Sequence, residues 1–204
     1  NDQSRNNNSN TAKQRQKETP FASIDCGHRL GNFHNYYAFH PIQSRINPLK
    51  QGILDHIAKS FIERSSKDAT AFELLDIGCN EGDLTMELAR QLLVDIKHST
   101  TTLRSLGLDI DPELVQRAKQ KYSHFLGSDN NIQAAFEVCN VCNLDTLRKT
   151  CSLNSTQGCF DLITVFSTTM WIHIHSGDDG LRHFLRSICG LTHMLLIEPQ
   201  PSRW

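Results

Sequence analysis

The sequence predicts an α/β domain built on a doubly wound, mostly parallel sheet. Three observations carry that prediction. The apolar run Ala71 to Ile77 leads into a glycine-bearing turn, Gly78-Cys79-Asn80-Glu81-Gly82, and then into leucines at helical spacing, Leu84, Leu88 and Leu92. A second strand, Leu103 to Leu108, ends on Asp109-Ile110-Asp111-Pro112, roughly 30 residues after the first, as one strand–helix–strand unit requires. Another run, Phe160 to Phe166, is continuously apolar, the mark of a central parallel strand covered on both faces.

Residues 1–20 are rich in Asn, Ser, Gln, Lys and Arg and read as a disordered polar tail; residues 21–204 make the domain. The stretch from Leu30 to Pro41 is dense in rings and has no clear period. It reads either as an arm packed onto the sheet or as a substrate lip, whose rings stack on a base while His, Tyr and Arg45 hold phosphate. Asn47-Pro48 carries the cap-plus-proline signal of a helix start. Leu49, Ile53, Leu54, Ile57, Ala58, Phe61 and Ile62 form one apolar face behind it.

Residues 95–102 are a polar loop. Asp111-Pro112 repeats the cap signal ahead of Leu114, Val115 and Ala118. Ile132 to Val138 is the third strand, with Asn140 and Val141 just past its end. Ser167 to Gly180 reads as a loop carrying Trp171 and two histidines, His173 and His175, which face the same way if the segment is extended. Gly180 to Leu191 is a helix and Met194 to Ile197 the fifth strand. Five strands leave an exposed edge, so the sheet is expected to lack a C-terminal strand pair.

A chain of 204 residues suffices for one domain with a core. Its 21 Lys and Arg against 22 Asp and Glu give a formal charge of −1, so a global basic field for nucleic acid is absent and any RNA contact is local. No apolar run is long enough to cross a bilayer, and no secretory signal is visible. The chain begins without Met and reads as processed or trimmed. Seven cysteines, an odd number scattered through apolar runs such as those at Cys79, Cys159 and Cys189, read as reduced thiols. The expected location is cytoplasmic, with nuclear as the alternative, and the expected state monomeric. Cys139-Asn-Val-Cys142 has ligand-like spacing, but no second pair matches it, so no metal is expected.

The spacing Gly78-x-x-x-Gly82, with Asp76 two residues ahead of the turn, is not the dinucleotide fingerprint. With Asp109 at the end of the next strand, it resembles the first two motifs of class I S-adenosylmethionine-dependent methyltransferases, a Rossmann-like fold. S-adenosyl-L-methionine is therefore the expected cofactor, and an acid at Asp109 suits both ribose hydroxyls. The alternative is a sheet whose turn binds nothing. After the fourth strand there is neither the Pro-Pro-aromatic box of amino-methylating enzymes nor the Cys beside proline that cytosine-C5 enzymes need.

Further segments, in order, make the resemblance specific. They are Gly31-Asn32-Phe33, Tyr36-Tyr37, His40-Pro41, Arg45, Gly78-Cys79-Asn80, Thr169-Met170-Trp171-Ile172-His173, Gly177-Asp178-Asp179-Gly180-Leu181 and Glu198-Pro199-Gln200-Pro201. Together they resemble the bicoid-interacting-protein-3 family, methyltransferases of RNA 5′ phosphates, over about residues 30–204. One branch of that family acts on the γ-phosphate of small nuclear RNA, the other on the 5′-monophosphate of precursor microRNA and transfer RNA. The segment around Tyr36 and the Met of Thr169-Met170-Trp171 resemble the monophosphate branch.

The resemblance implies a cofactor site of Arg45, Asp76, Gly78, Asn80, Gly82, Asp109, Asn140 and Val141. Arg45 would meet the methionine carboxylate, Asp109 the ribose and Asn140 the adenine. By position, Tyr36, Tyr37, His40, Trp171 and His173 would face the RNA end. Asn140 departs in type from the expected Asp, and Ser202 stands where the pattern continues with Trp. A phosphate oxygen is already ionised near neutral pH, with a second pKa of about 6, so no obligatory general base is expected. The residues' task is alignment, with reacting atoms in line about 3 Å apart. The rivals are a truncated non-catalytic S-adenosylmethionine- or RNA-binding module and a small-molecule methyltransferase.

Overall fold

A computed structural model describes residues 34–65, 71–96, 102–125, 131–155 and 159–199. Two short helices come first, α1 (Tyr36–Phe39) and α2 (Ile42–Leu49), then α3 (Ile53–Arg64). The sheet follows as β1 (Ala71–Ile77), α4 (Asp83–Ile96), β2 (Thr102–Asp109), α5 (Pro112–Lys121) and β3 (Ile132–Val138). It continues through α6 (Leu144–Asn154), β4 (Phe160–Phe166), α7 (Thr169–Cys189) and β5 (Thr192–Glu198). The strand order is β3-β2-β1-β4-β5, and every pairing is parallel. The chain reverses its direction of winding between β1 and β4, and ligands of such sheets bind beyond the strand ends at that point.

Alternation along the strands makes two cores. Phe72 and Leu74 of β1 pack with Leu54, Ile57, Phe61, Leu88 and Leu92 from α3 and α4. Leu75 and Ile77 pack on the other face with Leu147, Ile172, Phe184 and Ile188 from α6 and α7. All seven residues of β1 and of β4 are buried, Glu73, Asp76, Asp161 and Thr164 with the rest, which is why those strands read as largely apolar runs without alternation. At β5 most side chains are only half-buried, and no described strand pairs with its outer edge. The cap at Asp111 forms as expected: its Oδ1 accepts from Glu113 N at 2.8 Å and Leu114 N at 3.4 Å, with Pro112 at the first helical position.

Two sequence expectations are corrected. Asn47-Pro48 does not start a helix. Pro48 sits in the last turn of α2, where it removes a single amide donor, and α3 begins after Gly52 (φ 111°). The turn rotates the apolar face, so Ile46, Leu49, Leu54, Ile57, Ala58 and Phe61 are buried while Ile53 and Ile62 are exposed. The segment after β4 is a helix rather than a loop. Thr168 O accepts from Trp171 N (3.0 Å) and Ile172 N (3.2 Å), and buried Ile172 anchors the turn. The break at Gly177 (φ 65°, ψ −173°) divides α7 and hides its period. The polar tail at residues 1–20, Gln200, Pro201 and Ser202 lie outside the described residues.

Gly82 (φ 81°) is buried against an aromatic ring: an added Cβ would sit 2.6 Å from Phe136 Cε1 and 2.7 Å from its Cζ. At Gly52 an added Cβ meets nothing within 4 Å. Gly82→Ala is expected to destabilise by about 2–4 kcal/mol, backbone strain plus overpacking. Gly52→Ala should cost about 1–2 kcal/mol, the strain alone. Equal losses in urea unfolding would refute the ring contact as the cause.

Candidate functional site

A cleft opens at the carboxyl ends of β1, β2 and β4, beneath α1 and the first half of α7. Its floor is the turn after β1, where Gly78 (φ 81°), Asn80 (φ 52°) and Gly82 all take left-handed backbone. Gly78 N and Cys79 N both donate to Leu108 O, at 2.7 and 3.0 Å, so the turn is pinned to the next strand. A Cβ on Gly78 would lie 2.1 Å from Thr168 Oγ1, which explains why glycine is needed there.

Two buried carboxylates frame this floor. Asp109 Oδ2 accepts from Asn80 N (2.8 Å) and Oδ1 from Asp111 N (3.0 Å). Burial raises its pKa to about 6, against the opposing pull of those backbone donors. Asp76 accepts from Thr164 Oγ1 (2.7 Å) on β4 and from Thr85 Oγ1 on α4. Burial raises its pKa too; both hydroxyls and the Arg45 charge oppose the rise. Asp76 lines the cleft, and its hydroxyl bonds tie three elements together.

One end of the cleft is apolar, with Leu108, Ile110 and Val141. Asn140 lines it, while its Oδ1 accepts from Cys142 N at 3.1 Å. The ordinary turn role and a place in the cleft therefore coexist. Cys139 and Cys142 also line this end as free thiols, and burial raises the Cys139 pKa. Among the described residues no group of three or more His, Cys, Asp or Glu is placed to hold a metal ion. No described helix is long and apolar enough to cross a membrane.

The other end is polar and cationic. Arg45, 10% exposed in its side chain, donates through Nη2 to Ser167 Oγ (2.7 Å) and to Tyr36 Oη. Its Nε lies 3.4 Å from Glu198 Oε2, a buried oxygen with no hydrogen-bond donor among the described residues. The guanidinium carbon lies 5.1 Å from the Tyr36 ring centroid. Ser167 is itself in left-handed backbone (φ 52°), turning its hydroxyl toward Arg45 at the end of β4. Tyr37 completes the wall; burial, then the Asp76 charge, pushes its pKa well up, so it remains a neutral phenol.

Of the residues expected from sequence, the cleft brings together Tyr36, Tyr37, Arg45, Asp76, Gly78, Asn80, Asp109, Asn140, Val141 and Trp171. Gly82 lies beneath, packed on Phe136, and shapes the turn without lining the cleft. His40 is exposed and stacks on Tyr36 outside the lining. His173 is exposed and bonds Asp178 at 2.6 Å, whereas His175 lines the cleft. The two histidines do not face the same way, because on a helix a spacing of two places them on nearly opposite sides. The sequence places Ser167 and Thr168 only within a loop; the signal for them is their position directly after β4, since ligands gather at strand ends.

Sequence comparison agrees with this architecture. A family model described as bicoid-interacting protein 3 matches residues 160–204. The pre-miRNA 5′-monophosphate methyltransferase of Xenopus laevis is 36% identical over 177 residues, 84% of this chain and 66% of that protein. The human RNA 5′-monophosphate methyltransferase is 32% identical, over 84% of this chain and 58% of that protein. The U6 snRNA methylphosphate capping enzyme Amus of Drosophila melanogaster is 29% identical, over 89% and 56%. The chain thus spans less than two thirds of the length of these curated relatives.

A parallel sheet of order 3-2-1-4-5, a left-handed glycine turn after its first strand and an acid ending the second define a Rossmann-like domain of the class I methyltransferase type. The chain belongs to the bicoid-interacting protein 3 family.

Asp109 is expected to titrate near pH 6 by carboxyl 13C NMR of the ligand-free protein. The sign follows from the raised value: the protein has Asp109's full contribution below its unfolded pKa of about 3.9 and loses it as pH rises through about 6. The loss is on the order of 3 kcal/mol at neutral pH. A carboxyl titrating near 4 at this position would contradict the burial argument.

Proposed function

We propose that this chain is the catalytic core of an RNA methyltransferase. It transfers a methyl group from S-adenosyl-L-methionine to the 5′-phosphate of RNA, favouring the 5′-monophosphate ends of small RNAs such as precursor microRNA and transfer RNA. The observation that carries the reading is the cleft's two-ended chemistry. An apolar, acid-edged end beside Asp109 suits a nucleoside, and a cationic, hydroxyl-lined end around Arg45 suits carboxylate and phosphate. The printed activities of the Xenopus and human relatives support it.

The donor set fits this cofactor. Asp109, ionised, would accept from the ribose hydroxyls. Ile110 and Val141 would sandwich the adenine beside Asn140, the turn Gly78 to Asn80 would run along the sugar and tail, and Arg45 would meet the methionine carboxylate. When bound, the sulfonium supplies an activated methyl group. The chain's own residues then bind, orient and exclude water. Tyr36, Tyr37 and Trp171, with His175, would hold the RNA end. Tyr37, kept neutral, offers a hydroxyl donor that leaves a phosphate oxygen its charge. No residue needs to act as an obligatory base, because the phosphate oxygen is ionised near neutral pH.

The same reading places the protein in the cytoplasm, supported by the free thiols of Cys79, Cys139, Cys142, Cys151, Cys159 and Cys189, and takes it as a monomer. The Drosophila relative supports a second reading, a triphosphate acceptor on small nuclear RNA.

The deciding experiment is transfer of labelled methyl to one short RNA ending in a 5′-monophosphate, a triphosphate or a hydroxyl. Label on the monophosphate alone is expected. Label on the triphosphate alone would select the second reading, and label on all three would end the phosphate-acceptor reading. No label, with cofactor still bound by calorimetry, would indicate a binding module.

Two consequences for cofactor affinity follow. Arg45→Met should weaken binding about 10–100-fold, the loss of a charged hydrogen bond. Ribose hydroxyls donate to the ionised form of Asp109, so affinity should be full above pH 6 and fall as pH drops through it. In Asp109→Asn that pH dependence should vanish, as measured by calorimetry between pH 5 and 8.

A further inference from the structure

The proposed phosphate pole continues outward as a column of flat groups. Arg45 lies against the Tyr36 ring, 5.1 Å from its centroid. The His40 ring stacks on Tyr36 with centroids 4.6 Å apart and planes 27° apart. Tyr36 lines the cleft, whereas His40 does not and is exposed. The column therefore leads from the cationic end of the cleft to the surface. Beside His40, Phe39 is 81% exposed, the most exposed large apolar side chain among those described.

The backbone holds His40 in place. Its N–H donates to Tyr36 O at 3.1 Å, closing α1. The next residue is Pro41, which disfavours helical backbone at His40 (φ −127°, ψ 82°). A ring fixed in this way loses little freedom when another ring packs on it.

We propose that His40 is the stacking platform for the 5′-terminal nucleobase of the RNA, with Phe39 at its edge; this rests on the function proposed above. A phosphate held beside Arg45 and Tyr36 leaves the base of the same nucleotide displaced by its sugar, outward along the column. The neighbour that His40 offers there is a π face. Every nucleobase has one, so the contact adds affinity for a nucleotide-bearing phosphate over free phosphate without reading sequence. His40 thus acts on the base, and Tyr36 and Tyr37 at the phosphate end. The competing account is that His40 merely braces Tyr36 within α1.

A double-mutant cycle separates the two. The full 204-residue chain is titrated with two RNAs that share a 5′-monophosphate and a 3′ fluorophore, one with adenine at the first nucleotide and one abasic there. Wild type should bind the abasic RNA roughly tenfold more weakly. His40→Ala should bind the adenine RNA roughly tenfold more weakly than wild type does, yet no longer distinguish the two RNAs. His40→Phe, which keeps a ring and drops the imidazole's hydrogen bonds, should restore the discrimination. With 2-aminopurine at the first position, wild type and His40→Phe should quench its fluorescence and His40→Ala should not.

A His40→Ala loss of equal size on both RNAs, or no loss, would overturn the platform and leave the bracing role. Failure of His40→Phe to restore discrimination would also overturn it. Methyl transfer by wild type to the adenine RNA reports the parent reading separately. Transfer with a base-independent His40 effect removes the platform alone, and absence of both transfer and RNA affinity removes the two together.

Discussion

The cleft depends on one buried carboxylate. Asp109 ends β2, and its two oxygens hold the amides of Asn80 and Asp111. The first amide belongs to the turn that leaves β1, the second to the residue whose own carboxylate caps α5. A single side chain therefore fixes the start of one helix and the shape of the loop ahead of another. Burying it raises its pKa toward neutrality, and the amide bonds oppose that rise without abolishing it. What remains is an acid that is costly to ionise when alone and well suited to accept hydroxyl donors from a ligand.

Asp76, on the neighbouring strand, has a complementary role. It binds Thr85 and Thr164, so α4 and β4 are registered against β1 through polar contacts inside an otherwise apolar layer. The register of a parallel sheet has no turn to set it, because its strands are joined by long crossovers. Side-chain links of this kind help determine which strand ends lie level, and the cleft is built from level strand ends. Above them, α1 and α2 contribute Tyr36, Tyr37 and Arg45 from outside the sheet. The segment matched by the family model begins at residue 160, so it contains only Phe166, Ser167, Thr168, Trp171, Ile172 and His175 of the cleft. The rest of the cleft comes from preceding segments of the chain, which the longer matches to the curated relatives support.

The polar end shows how neighbours set a residue's meaning. Arg45 is engaged by a phenol, a hydroxyl and a carboxylate before any ligand arrives. Those contacts aim its remaining donors, and the Glu198 charge moderates its pull. The histidines sort by the same logic. His175 turns into the cleft, His173 pairs with Asp178 on the outside of α7, and His40 extends the stack that begins at Arg45.

The sequence by itself determined the sheet, helices α4 and α5 and the glycine turn at the floor of the cleft. The signals there are local: largely apolar strands such as Phe160 to Phe166, the leucines of α4, the Asp111-Pro112 cap, and a glycine turn between a strand and a helix. Each depends on residues within a few positions of one another, so periodicity and turn chemistry reveal it. The N-terminal helices and the segment after β4 were less legible, because Pro48 and Gly177 sit inside helices whose anchoring contacts, at Ile46 and Ile172, are made across the fold. Only the tertiary structure decided that His175 rather than His173 enters the cleft, and that Ser167 and Glu198 hold Arg45. These outcomes follow from the facing of a helix and from contacts between residues more than a hundred positions apart, which no local pattern of side chains encodes.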